Sequence, residues 1–133
     1  MKILLLDIEV APNLAHCWGL FKQNIAISQL LESGYTLCWA AKWYGEKPIY
    51  FDSIHQSRPL KMIKAIHKLV AEADAVVHYN GTKFGMPILN KDFLLHGLPP
   101  PAPYAQIDLY KTVKSRFRFP SNKLDYIVKE LIS

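Results

Sequence analysis

The stretch DAVVHYNGTKFGMP, Asp74 to Pro87, decides how this chain folds. AVVHY is a short apolar run with β-branched residues, the pattern of a strand buried within a sheet. Asn80-Gly81 is a turn signal that ends it. From about Pro87 the pattern becomes helical and runs to His96, with Gly97 as its stop. Upstream, SRPLKMIKAIHKLVAEA (residues 57–73) places Leu60, Ile63, Ile66, Leu69, Val70 and Ala73 on one helical face. Ser57 is the expected cap, and Pro59 is tolerated in the first turn.

A second such run is KILLLDIE, residues 2–9. Its near-continuous apolar character predicts a central strand buried on both faces. Strand, helix and strand make a parallel crossover. Between them, AHCWGLF (15–21) and YTLCWAAKWY (35–44) are rich in β-compatible residues, and GEK turns the second into a further strand, PIYF. The expected fold is therefore α/β, a mixed sheet with an antiparallel set, a parallel crossover strand and flanking helices. LPPPAPY (98–104) reads as a stiff surface connection. Two short helices are expected after it, over 108–117 and 121–131, with Ser121 or Asn122 capping the second.

At 133 residues with half its composition apolar, the chain suits one core and a single domain, 1–133. Its apolar runs are far below the ~20 residues of a membrane span. The N-terminus lacks the apolar length of a signal peptide, which points to the cytoplasm and to no membrane partner. Cys17 and Cys38 lie in strand-like segments without metal-ligand spacing and are expected to be buried thiols. His16, His55, His67 and His96 are scattered in the same way. The aromatics Trp18, Trp39, Trp43, Tyr44 and Tyr50 are most simply core fillers, although one on an open face can stack a base.

The net charge of +5 is concentrated late, where residues 111–133 hold six cations against two carboxylates. KSRFRFPSNK interleaves cations with Phe117 and Phe119. This suits phosphates and stacked bases, and equally a solvated helix end with two packed aromatics.

Asp7 and Glu9 stand two apart at the end of the first strand. Period-2 geometry puts both carboxylates on one face, with Cα atoms roughly 7 Å apart. A Mg²⁺ or Mn²⁺ ion between them would relieve their repulsion. An acidic pair at a fraying strand end is the plain alternative.

With the element order around it, the pair gains weight. LDIE on the first strand, the antiparallel set, the crossover, HYNGTKFGMPILN and the late KLDY segment together resemble the DnaQ-like, or DEDD, 3′-to-5′ exonucleases of the ribonuclease H-like fold, phage-encoded members in particular. The resemblance implies that Asp7 and Glu9 are catalytic residues and ligands of two Mg²⁺ or Mn²⁺ ions, which activate water against the terminal phosphodiester of single-stranded 3′ ends. It implies that Asn80, Gly81, Lys83 and Phe84 lie against nucleic acid, whereas an ordinary turn, surface and core are the plainer accounts of these residues. The family's second motif closes on Asp, and this chain has Gly85 there. The third motif, with a fourth acidic residue and a general base, lies in the family beyond the KLDY helix, so the chain is expected to be truncated before it. Asp125 and Tyr126 precede that place and take neither role. An open face at such an end would be covered by a homodimer.

Two functions follow. One is an exonuclease impaired as the chain stands, acting in the host cytoplasm if phage-encoded. The alternative is a catalytically dead nucleic-acid-binding or partner-binding protein that keeps the fold. His78 is expected to be packed or hydrogen-bonded, and Asp108 to cap a helix or face the cleft.

Overall fold

The computed structural model describes residues Met1–Ile132. Five strands form one mixed sheet in the order β5-β4-β1-β6-β7: Tyr50–Ser53, Thr36–Trp43, Ile3–Val10, Ala75–His78 and Ala105–Asp108. β1 lies in the middle, antiparallel to β4 and parallel to β6, and β7 extends the parallel half. The ribonuclease H-like α/β architecture is thus the one present. No helix among the described residues is long and apolar enough to cross a membrane.

Helices α1 (Pro59–Glu72) and α2 (Gly85–Leu95) cover one face of the sheet. Leu4 and Leu6 of β1, Trp39, Ala41 and Trp43 of β4, and Val76 of β6 meet Met62, Ile63, Ile66 and Val70 of α1 and Met86, Leu89 and Phe93 of α2. Alternate residues enter this core over Leu4 to Ile8 of β1 and Trp39 to Trp43 of β4. The expectation of a first strand buried on both faces is corrected accordingly. Leu5, on the other side, is only half-buried, and Val77, Leu109 and Leu124 share an open apolar hollow with it. Helices α3 (Leu109–Arg116) and α4 (Leu124–Ile132) contribute Leu109 and Leu124 to that hollow.

Several local expectations shift. Residues 15–21 do not form a strand. Only Leu14–Ala15 (β2) pairs, with Leu30–Glu32 (β3), and the chain between them loops out as a hairpin tip. Cys17 and Trp18 are therefore exposed, and Cys38 is half-buried. Tyr44 and Tyr50 are also exposed, leaving Trp39 and Trp43 as the core tryptophans. The cap of α1 is Arg58, without a side-chain hydrogen bond, so Ser57 does not serve. Leu60 is exposed at its first turn. α2 begins at Gly85, two residues before Pro87, and Gly97 ends it at φ +73°. β7 was hidden in the sequence. AQID alternates apolar and polar residues but is only four residues long, too short to announce a strand, and it is held by backbone pairing to β6.

Candidate nucleic-acid site

β1 and β6 run parallel, so their C-terminal ends open at the same edge of the sheet. The register of β1 against β4 pairs Asp7 with Ala40 and Glu9 with Cys38. Asp7 and Glu9 therefore share the sheet face away from α1 and α2, and both are exposed. Their charge is felt across the ladder. Burial pushes the Cys38 thiol above its ordinary range, and the Glu9 and then the Asp7 carboxylates push it further.

A cleft of about 310 Å³ joins this strand end to the turn that follows β6. It is lined by Asp7 and Glu9 on one side and by Asn80, Gly81, Phe84 and Gly85 on the other. Lys83 is exposed beside it. Phe84 stands 63% exposed, so the core reading of that residue is set aside.

The turn has a specific construction. Asn80 takes a left-handed φ of +60°, which asparagine tolerates better than most residues. Gly81 is required by space, because a Cβ there would lie 2.8 Å from Cγ and Nδ1 of His78. Its N–H donates to His78 Nδ1 at 3.1 Å, while His78 Nε2 meets Gln106 Oε1 at 3.1 Å. The two contacts together assign a neutral imidazole with its proton on Nε2. His78 is buried and serves as a packing post, as its position suggested.

Asp108 does more than cap a helix. It is 8% exposed, at the end of β7. Oδ1 accepts from the Tyr110 N–H at 3.0 Å, which caps α3, and from the Asn80 N–H at 2.8 Å. Oδ2 accepts from the Thr82 hydroxyl at 3.0 Å. Burial by itself would raise this carboxyl. The donors from Asn80, Thr82 and Tyr110 outweigh burial and hold it below the usual carboxylate range. Sequence reasoning found the cap but missed the clamp on the turn. The missing signal was β7, which sets Asp108 beside His78 in the ladder.

Gly85 is buried at the first turn of α2. A Cβ added there would meet Ile8 Cβ at 3.5 Å and Cδ1 at 3.6 Å, ordinary van der Waals contact. Nothing steric demands glycine at this position. Asp7 and Glu9 are two hard oxygen donors on one exposed face, which suits a single hydrated Mg²⁺ or Mn²⁺ completed by substrate oxygens. Among the described residues no group of three or more His, Cys, Asp and Glu side chains is placed to hold a metal ion. A paired-ion centre therefore does not fit the donors present.

A family model of the RNase_H superfamily matches residues 33–133, and the chain belongs to that superfamily. The matched span includes the Asn80–Gly85 turn and begins after Asp7 and Glu9. Among 44 matching chains of solved structures is the family B DNA polymerase from the hyperthermophilic archaeon Pyrobaculum calidifontis, at a TM-score of 0.63 and 18% identity over 97% of this chain. At that identity the likeness is one of fold. The chain spans 18% of the polymerase's length. No curated protein matches the sequence.

Proposed function

We propose that this chain is a DnaQ-like exonuclease-type domain that receives single-stranded 3′ ends of nucleic acid in the cleft between β1 and the Asn80–Gly85 turn, with phosphodiester hydrolysis impaired by Gly85. The observation that carries this reading is the convergence of two exposed carboxylates, Asp7 and Glu9, on the cleft lined by that turn. A divalent cation held by Asp7 and Glu9 would supply charge neutralisation and Lewis acidity to a bound phosphodiester. The clamp from Asp108 fixes the turn so that the backbone at Asn80 and Gly81 can lie close to a terminal nucleotide. Lys83 offers a cation to a phosphate, and the exposed ring of Phe84 offers a face to a base. Lys111, Lys114, Arg116 and Arg118, with Phe117 half out in solvent, add salt-sensitive affinity beyond the cleft. The reading extends to a phage-type member working in host cytoplasm.

Gly85 offers no third carboxylate, and that favours a second reading: a binding protein of the same fold without cleavage. The two separate in one experiment. The chain, its Gly85→Asp variant and its Asp7→Asn variant are incubated with Mn²⁺ and a 5′-labelled single-stranded oligonucleotide. The impaired-enzyme reading expects a ladder of shortened products from Gly85→Asp, little from the parent and none from Asp7→Asn. Absence of products from all three, with binding that a chelator leaves unchanged, establishes the binding protein instead.

A further inference from the structure

The hairpin that follows β1 carries the most exposed aromatic surface of the molecule. Trp18 is 80%, Leu20 87% and Phe21 83% exposed. These residues sit on an ordered support. At the neck, Gln29 closes the loop twice, its carbonyl accepting from the His16 N–H at 2.9 Å and its Nε2 donating to the His16 carbonyl at 3.0 Å, while its Oε1 accepts from the Ala26 N–H at 2.8 Å and caps the adjoining turn. Below the neck, Asn13 Oδ1 accepts from the Gly34 N–H at 2.7 Å. Lys91 of α2 donates to the Gly34 carbonyl and, at 3.3 Å, to Ser33 Oγ. The tip makes its own turn, with Lys22 at φ +50° and Gln23 Nε2 donating to the Phe21 carbonyl at 3.0 Å. An ordered neck that holds apolar rings out in water is built for contact with something else.

We infer that this tip, residues 17–25, is a base-stacking ledge for single-stranded nucleic acid, an inference that rests on the function proposed above. Charge decides the occupant. Carboxylates stand only at the foot of the hairpin, Glu9 and Glu32, and the tip between them has Lys22 and His16 and no Asp or Glu, so the tip itself carries no charge that repels a phosphate backbone. Aromatic faces beside a lone cation and amide side chains, Gln23 and Asn24, are the combination that binds single strands without reading their sequence. Position agrees with charge. The hairpin springs from the strand end that carries Asp7 and Glu9, and Lys91 ties its base to α2, the helix that begins at Gly85. Both walls of the cleft thus hold the hairpin, and nucleotides upstream of a bound 3′ end have the ledge within reach.

The test is binding in the presence of a chelator, so that cleavage plays no part. A fluorescein-labelled oligothymidylate of about 12 nucleotides, within the range of known single-strand sites, is titrated with the full chain, and an abasic oligomer of equal length is titrated in parallel. The variants are Trp18→Ala, Phe21→Ala and Trp18→Phe, whose side chains lie in solvent and whose folding is checked by circular dichroism. Each alanine variant is expected to lose about 5- to 150-fold in affinity for oligothymidylate and little for the abasic oligomer, with Trp18→Phe recovering most of the loss. Equal affinity of the parent for both oligomers, or of the alanine variants for oligothymidylate, overturns the ledge and leaves the cleft reading standing. No binding of either oligomer by the parent overturns both. Alanine variants that bind oligothymidylate normally but lose self-association or binding to anionic vesicles assign the tip to protein or lipid, and also overturn the ledge.

Discussion

Replacing Asp108 tests whether the cleft turn is held by one buried carboxylate. Asp108→Ala leaves the Asn80 N–H without its acceptor, at about 1–3 kcal/mol for a part-buried donor, and removes the cap of α3, at about 0.5–2 kcal/mol. The Thr82 hydroxyl can rotate towards water and adds little. Together the loss is about 1.5–5 kcal/mol. Asp108→Asn keeps Oδ1 as acceptor for both N–H groups and loses only the charge assistance, about 1 kcal/mol. The pH dependence has a definite sign. The carboxyl of Asp108 is lowered in the folded chain from its ordinary value of 3.8. Between those two values the unfolded chain binds more protons, so the stability due to this charge is fully present above the unfolded value and is lost as pH falls through the folded one. The assay is urea unfolding followed by circular dichroism for the parent, Asp108→Asn and Asp108→Ala at pH 7, 5 and 3. The gap between parent and Asp108→Asn should stay constant from pH 7 to 5 and narrow towards pH 3. A gap that widens on acidification, or an Asp108→Ala cost no larger than that of Asp108→Asn, refutes the clamp.

Asn80→Gly should leave stability within ~0.5 kcal/mol, because glycine accepts φ +60° freely, whereas Asn80→Ala should cost about 1 kcal/mol; equal melting points for the two variants would contradict the left-handed turn. Gly81→Ala forces a methyl against the His78 ring and should cost about 1–3 kcal/mol by urea titration. Native alkylation should modify Cys17, exposed on the hairpin, well before Cys38, whose thiol is held above its ordinary range by burial and by Glu9 and Asp7; mass spectrometry of peptides reads the order. In Gly85→Asp, melting should become more responsive to Mn²⁺ than in the parent, by about 1–3 kcal/mol of added stabilisation at saturating cation, and an unchanged response would show that the introduced carboxylate does not join Asp7 and Glu9.

The sequence revealed the elements whose side chains share one core. β1, β4, α1 and β6 announce themselves because burial imposes a period on them, and the two central strands have no other way to satisfy their apolar residues. The hairpin at 14–32 did not, because Trp18, Leu20 and Phe21 carry the composition of a strand while pairing with nothing. Composition reports what a residue can do, and only pairing partners far along the chain decide whether it does so. β7 fails in the opposite direction. Its residues have weak strand preference, and the ladder with β6 overrides it. Asp7, Glu9 and the Asn80–Gly85 turn were legible as local motifs, but their meeting in one cleft depends on the parallel register of β1 and β6, which no local pattern encodes.

That register separates what Gly85 removes from what it leaves. The carboxylates of β1, the left-handed turn at Asn80, the close fit of Gly81 on His78 and the clamp from Asp108 all hold without any side chain at position 85. A glycine there has no positive φ and no crowded Cβ to explain it, so a side chain at this position fits without reshaping the backbone. The first turn of α2 carries no acidic residue and no side-chain cap, and its partial positive end would favour an acid. Binding and chemistry should therefore come apart in this chain. On the function proposed here, affinity would rest on the turn, the basic stretch and the aromatic tip, none of which involves position 85. On the same reading, hydrolysis would rest on the number of oxygen donors around a cation, to which Gly85→Asp would add one.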